Sequence, residues 1–288
     1  MPKAFDRSRE DVSNIVHLEH VNVTQPDQKL ATLFYVAGLG FTRDPFIMVG
    51  LNNMWINIGR SQMHLPTNRA QCLRGTIGLV VPDLAQLVQR LEKVAPDLGG
   101  TAFAFHREKD LVRVSCPWGN RFRLHAPAAE YGNTELAMVY VEFDAPPGSA
   151  RGIARFYDEI MGATAEETAR NGAAAASVLA GRDQRLYFVE TGAAIPEYDG
   201  HHIQIYIADF SSPYRKLKDR GLISLETDEH EWRFVDIVDL DSNKPLFKVE
   251  HEVRSLKHPL YGRPLVNRNP AISNVGYVRG QDSFRGTY

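Results

Sequence analysis

Polar and apolar positions alternate strictly over residues 200–206. On a β-strand this places His202, Gln204 and Tyr206 on one face and Ile203, Ile205 and Ile207 on the other. A face carrying an imidazole, an amide and a phenol suits the inside of a cup that holds a small molecule. Residues 246–251 alternate in the same way and put Lys248 and Glu250 on one face. If the two faces meet, His202 and Glu250 share a site; if not, both are ordinary solvated strand positions.

The pattern elsewhere predicts the same unit four times. Residues 15–24 alternate as a strand, and Asp27 then caps a helix with Leu30, Leu33, Phe34 and Ala37 on one side, stopped by Gly38 and Gly40. Short strands follow near residues 41–42, 54–58 and 62–65, giving β-α-β-β-β. The order recurs from Gly75, with a helix striped by Leu84, Leu87, Val88 and Leu91 and a last strand at residues 117–124. A third copy opens at residues 136–143, and its Phe156-Tyr157 and Gly162 match Phe34-Tyr35 and Gly40 at equal spacing. The fourth begins at the His201-His202 doublet, has a helix near residues 211–220 and closes on the strand bearing Glu250. The class is α+β, with four tandem βαβββ units forming two cup-shaped mixed-sheet modules. The expected boundaries are a lead at 1–14, an N-terminal module at 15–127, a linker at 128–135, a C-terminal module holding the site at 136–255, and an irregular tail at 256–288.

Composition narrows the function. A chain of 288 residues with 43% hydrophobic and 24% charged residues is an ordinary globular protein, and a formal net charge of -2 offers no electrostatic footprint for nucleic acid. The two cysteines, Cys72 and Cys116, show no CxxC spacing, which argues against a disulfide framework or structural zinc. No signal-peptide core or apolar run of spanning length occurs, so no membrane partner and a cytoplasmic location are expected. Trp55, Trp118 and Trp232 read as packing residues, and His106, His251 and His258 as solvated ones. No GxSxG, Walker or Rossmann pattern is present.

The four units, the Phe-Tyr pairs in the odd helices and Pro117-Trp118-Gly119-Asn120-Arg121 closing the second unit resemble the vicinal oxygen chelate superfamily of glyoxalase I, resistance proteins and extradiol dioxygenases. The resemblance covers roughly residues 15–255, and the length is most similar to that of two-module type I extradiol dioxygenases. It implies a divalent metal, Fe(II) foremost, held by two histidines and a carboxylate, with a small aromatic or oxygenated substrate and a homo-oligomeric assembly. Carried over by position, the second histidine falls on His202 and the carboxylate on Glu250. The first falls on Met138, a departure from the pattern that Glu142, on the face of Met138 and Tyr140, could offset. His230 takes the place of a substrate-bonding histidine. Another expected histidine appears as Tyr187, and the tyrosine before the last strand has no counterpart in residues 237–240. Tyr187 and Tyr206 join His230 as expected catalytic or lining groups.

A rival site lies in the N-terminal module, where His20 and His64 hold ligand positions while Thr76 and Arg123 hold the other two. The leading expectation is an extradiol-dioxygenase-like oxidoreductase. The alternatives are a metal-free binding or sequestering protein and a glyoxalase-like lyase or isomerase.

Overall fold

The computed structural model describes residues 6–47, 52–265 and Tyr277; the remainder of the expected tail lies outside the described residues. All four units are present. Unit one comprises β1 (Ile15–Asn22), α1 (Gln28–Thr32), β2 (Thr42–Arg43), β3 (Asn53–Ile58) and β4 (Ser61–Pro66). Unit two comprises β5 (Gly75–Val80), α2 (Leu84–Val94), β6 (Ala104–Arg107), β7 (Leu111–Ser115) and β8 (Arg121–His125). Unit three comprises β9 (Ala137–Ala145), α3 (Ala150–Glu159), β10 (Ala165–Arg170), β11 (Ala173–Gly181) and β12 (Gln184–Glu190). Unit four comprises β13 (His202–Ile207), α4 (Ser211–Asp219), β14 (Ile223–Asp228), β15 (Glu231–Val238) and β16 (Pro245–Ser255).

Local chemistry sets these boundaries. Asp27 and Asp83 each accept two backbone N–H bonds at the starts of α1 and α2, which satisfies donors the helix cannot pair itself. Gly40 and Gly162 follow the helices of units one and three at φ 78° and 64°, a region that favours glycine. The Phe-Tyr pairs that mark the repeat are fully buried, with rings edge-on at 4.8 Å (Phe34–Tyr35) and 6.0 Å (Phe156–Tyr157).

The units do not pair in chain order. One eight-stranded sheet runs β14-β15-β16-β13-β1-β4-β3-β2, and the other runs β10-β11-β12-β9-β5-β8-β7-β6. Unit one therefore shares a sheet with unit four, and unit two with unit three, which corrects the expectation of one cup per half of the chain. The segment 126–136 joins β8 to β9 inside the second sheet, whereas residues 67–74 and 191–201 cross between sheets. Each first strand has a parallel partner on one side, β4 for β1 and β16 for β13, and an open edge on the other; the antiparallel pairs β1·β13 and β5·β9 close those edges.

One continuous apolar core draws residues from both sheets and from the helices. Tyr157 of α3 reaches β16, where its hydroxyl meets Nε2 of His251 at 2.6 Å, and Phe34 and Tyr35 pack on Phe122 of β8. His251 is buried and stacked on Phe234 at 4.2 Å rather than solvated as expected, and His258 is buried too. The alternation read from residues 202–207 holds: Ile203, Ile205 and Ile207 enter the core, and His202, Gln204 and Tyr206 take the opposite face.

Candidate functional site

The outward face of the first sheet gathers histidines from three strands. His20 of β1, His64 of β4 and His202 of β13 offer ligand nitrogens that all lie within 4.8 Å of one another. Strand pairing sets this convergence: Asn22 sits opposite both His202 and His64, and His20 lies one pleat along β1 from it. The Nε2 atoms of all three are buried without a hydrogen-bond partner. Buried imidazole nitrogens are normally satisfied, so the orphaned nitrogens of His20 and His64, beside a His202 whose Nε2 has only Glu252 3.3 Å away, call for a common partner. A cation meets that need.

The fourth wall is carboxylate. Oε2 of Glu252, on β16, lies 3.3 Å from Nε2 of His202, and the side chain is nearly inaccessible. Glu250, the carboxylate expected from sequence, lies 3.5 Å from Nδ1 on the other side of the same ring and is more exposed. Arg233 spans the two, 2.8 Å from Glu250 and 2.6 Å from Glu252, and Arg254 pairs with Glu252 and Glu231. Burial alone would push the Glu252 carboxyl up, but His202, His20 and Arg254 hold it well below the usual carboxylate range. Around the imidazoles the carboxylates of Glu19, Glu231, Glu250 and Glu252 face the guanidiniums of Arg233 and Arg254. Two negative charges are left for a divalent cation to balance.

Protonation also suits ligation. Burial drives His64 down to about 2 and lowers His202, so these rings stay neutral with a lone pair free at neutral pH. His64 stacks on Trp55 at 3.8 Å, which fixes its plane. His20 bonds Glu19 through Nδ1 at 2.5 Å, leaving Nε2 toward the cluster. Neighbouring residues of a regular strand face opposite ways, and the pairing of β1 with β13 is irregular between Leu18 and His20, where a bulge lets both side chains meet. Burial raises the Glu19 carboxyl, but the charge and hydrogen bond of His20 outweigh it and leave it lowered.

The structure brings together residues expected in separate sites: His20 and His64 stand beside His202, and Thr76 and Arg123 belong to the other sheet. Tyr206 shares the sheet and face of His202. Met138 and Tyr187 do not come near, because both lie in the second sheet, Met138 in the apolar core and Tyr187 beneath the guanidinium of Arg170 at 3.8 Å. Glu142 is likewise in that sheet, held by Arg123 at 2.9 Å and by Arg170. His230 sits in the turn between β14 and β15, near Glu229 and His258 and outside the imidazole cluster. Sequence reasoning missed Glu252, which has the same strand parity as Glu250, and Glu19, whose role depends on the bulge. Among the described residues no helix is long and apolar enough to cross a membrane.

No family profile and no curated protein matches the chain by sequence. Solved structures do match. A candidate dioxygenase from Bacillus subtilis superposes with a TM-score of 0.57 over 88% of each chain at 13% identity. Glyoxalase I from Zea mays superposes with a TM-score of 0.56 over 83% of this chain and 92% of its own, at 12% identity. At such identities the likeness is one of fold. With its four βαβββ units in two eight-stranded sheets, the chain is built on the two-module vicinal oxygen chelate fold.

Proposed function

We propose that the protein is a metal-dependent enzyme acting on a small molecule with adjacent oxygens, and that His20, His64, His202 and Glu252 hold the metal. The observation that carries this reading is the convergence of three buried or half-buried imidazoles, with ligand nitrogens within 4.8 Å of one another, beside an ionised carboxylate. A first-row divalent cation suits a set of three imidazoles and one carboxylate. When bound, such a cation would act as a Lewis acid toward the substrate oxygens. The protein's part is to keep His64 and His202 neutral, to fix His20 through Glu19, and to shield the face from water with buried walls.

The donor set favours the lyase or isomerase reading over the dioxygenase. Oxygen-activating Fe(II) centres of the facial-triad type use two histidines and one carboxylate and keep the remaining positions open. Here a third imidazole would take one of those positions.

The test is anaerobic titration with Zn(II), Co(II), Mn(II) and Fe(II), followed by metal analysis. One ion per chain is expected, lost on His20→Ala, His64→Ala or His202→Ala alike and retained on Tyr187→Phe. Absence of bound metal under every condition would refute the reading. An outcome in which His202→Ala abolishes binding but His20→Ala does not would return the site to unit four alone.

A further inference from the structure

Beyond the imidazoles, the same face carries polar groups with nothing to bond. Gln204 is fully buried and neither of its amide atoms has a partner; the Tyr206 hydroxyl and the Nη1 atoms of Arg254 and Arg263 are buried and unpartnered as well. These groups are neighbours. Tyr206 pairs in register with Arg254, and Gln204 with Glu252, along β13 and β16. The charges of Glu19, Arg254 and Arg263 all reach the Tyr206 phenol. Arg263 enters from the chain beyond β16 and is anchored on Asp44 and Gln62, the latter opposite His20 in the sheet.

The inventory is lopsided. Two guanidiniums, a phenol and an amide nitrogen offer hydrogens, and the acceptors left beside them are Oε1 of Gln204, the phenol oxygen itself and Oε1 of Glu252, the last already facing Arg254. Such a set complements a group that only accepts, and a carboxylate supplies two oxygens with about four lone-pair directions.

We propose that the cup takes a small carboxylate-bearing molecule, its carboxylate received by Tyr206, Arg254, Arg263 and Gln204 and its adjacent oxygens lying at the three imidazoles. This rests on the metal reading above. Arg254 stands one pleat beyond Glu252, roughly 7 Å along the strand. The molecule is therefore compact, with a single ring or a short chain between its two ends. With a divalent cation in place the face is close to neutral, so the carboxylate is recognised by aimed donors and not by bulk charge. The segment beyond β16 closes that end: Tyr261 packs on Tyr206 at 4.8 Å, and Arg263 brings its own donor.

The experiment compares benzoate with benzamide, and 3,4-dihydroxybenzoate with 3,4-dihydroxybenzamide, by ligand-observed NMR on protein as isolated and after addition of Mn(II). Each carboxylate should bind at least about tenfold more tightly than its amide, as expected for hydrogen bonds to a charged group. Tyr206→Phe removes one unpartnered hydroxyl and little else, so it should fold normally, keep the Mn(II) affinity of wild type and lose about tenfold in benzoate affinity. Arg263→Gln should weaken benzoate similarly. Equal binding of acid and amide, preference for inorganic phosphate over benzoate, or an unaffected Tyr206→Phe would each overturn the proposal. Failure of Mn(II) to bind, with the benzoate preference intact, would overturn the metal reading and leave the carboxylate site standing.

Discussion

Glu250 and Glu252 lie on the same face of β16, two residues apart, and their surroundings give them different parts. Glu252 is closed in by His202, Arg233 and Arg254 and held ionised, while Glu250 stands at the rim, against the Nδ1 side of His202. Glu252→Gln is expected to weaken metal binding more than about 100-fold, since it removes a ligand, and Glu250→Gln by a smaller factor within the roughly 10–100-fold typical of groups that orient a ligand. Competitive titration against a chromophoric chelator reads both; equal losses would mean that Glu252 is not in the coordination sphere. Glu19 belongs with the orienting groups. Its bond to Nδ1 of His20 commits the proton there, so Glu19→Gln is expected to cost about 10–100-fold in metal affinity while the fold, followed by circular dichroism, is unchanged.

At the scale of elements, the junction of units is made by backbone packed against backbone. A Cβ added at Gly75 would lie 1.8 Å from the Glu142 carbonyl oxygen and 2.9 Å from Cα of Phe143, both main-chain atoms of β9 that cannot swing away. Gly75→Ala is therefore expected to cost about 3 kcal/mol or more, beyond ordinary overpacking, by prying β5 from β9. A urea midpoint equal to that of wild type would show that the junction yields freely. Within each unit, the order β-α-β-β-β was legible from alternation, capping aspartates and the Phe-Tyr repeat, because those signals are local. The joining of β1 to β13, and of β5 to β9, was not legible: all four first strands alternate alike, and the choice between them is made by chain crossings between sheets. That one unread step displaced the site. It parted His20 and His64 from His202 and brought in Met138, which lies in the core, where Met138→His would bury an unpartnered imidazole without raising metal affinity. Glu252 was hidden for a related reason, since parity selects a face but not the position along the strand at which two faces meet.

For the whole molecule, the cost of keeping histidines neutral appears as sensitivity to acid. His251, sealed between Tyr157 and Phe234, is lowered to about 3 by burial, His258 to about 4, and His64 to about 2. An unfolded chain takes up these protons near pH 6.5. Below that pH the unfolded state binds more protons than the folded one, so stability falls as pH falls, until each folded value is passed. At pH 5, about 1.5 units below the unfolded value, the fully buried His251 ring costs about 2 kcal/mol. His251 is the ring to follow because, although it adjoins Glu252 in the chain, it faces the core against Tyr157 and Phe234, on the opposite side of the strand from the imidazole cluster. In metal-free protein, urea unfolding of wild type and His251→Gln between pH 7.5 and 5 should give two lines, the mutant starting lower but losing about 2 kcal/mol less over the interval. Carboxylate titrations common to both proteins cancel in the difference. Parallel lines would show that His251 accepts its proton in the folded state without cost, which the Tyr157 hydroxyl on its Nε2 and the carbonyl of Val249 on its Nδ1 could allow only by rearranging the core around them.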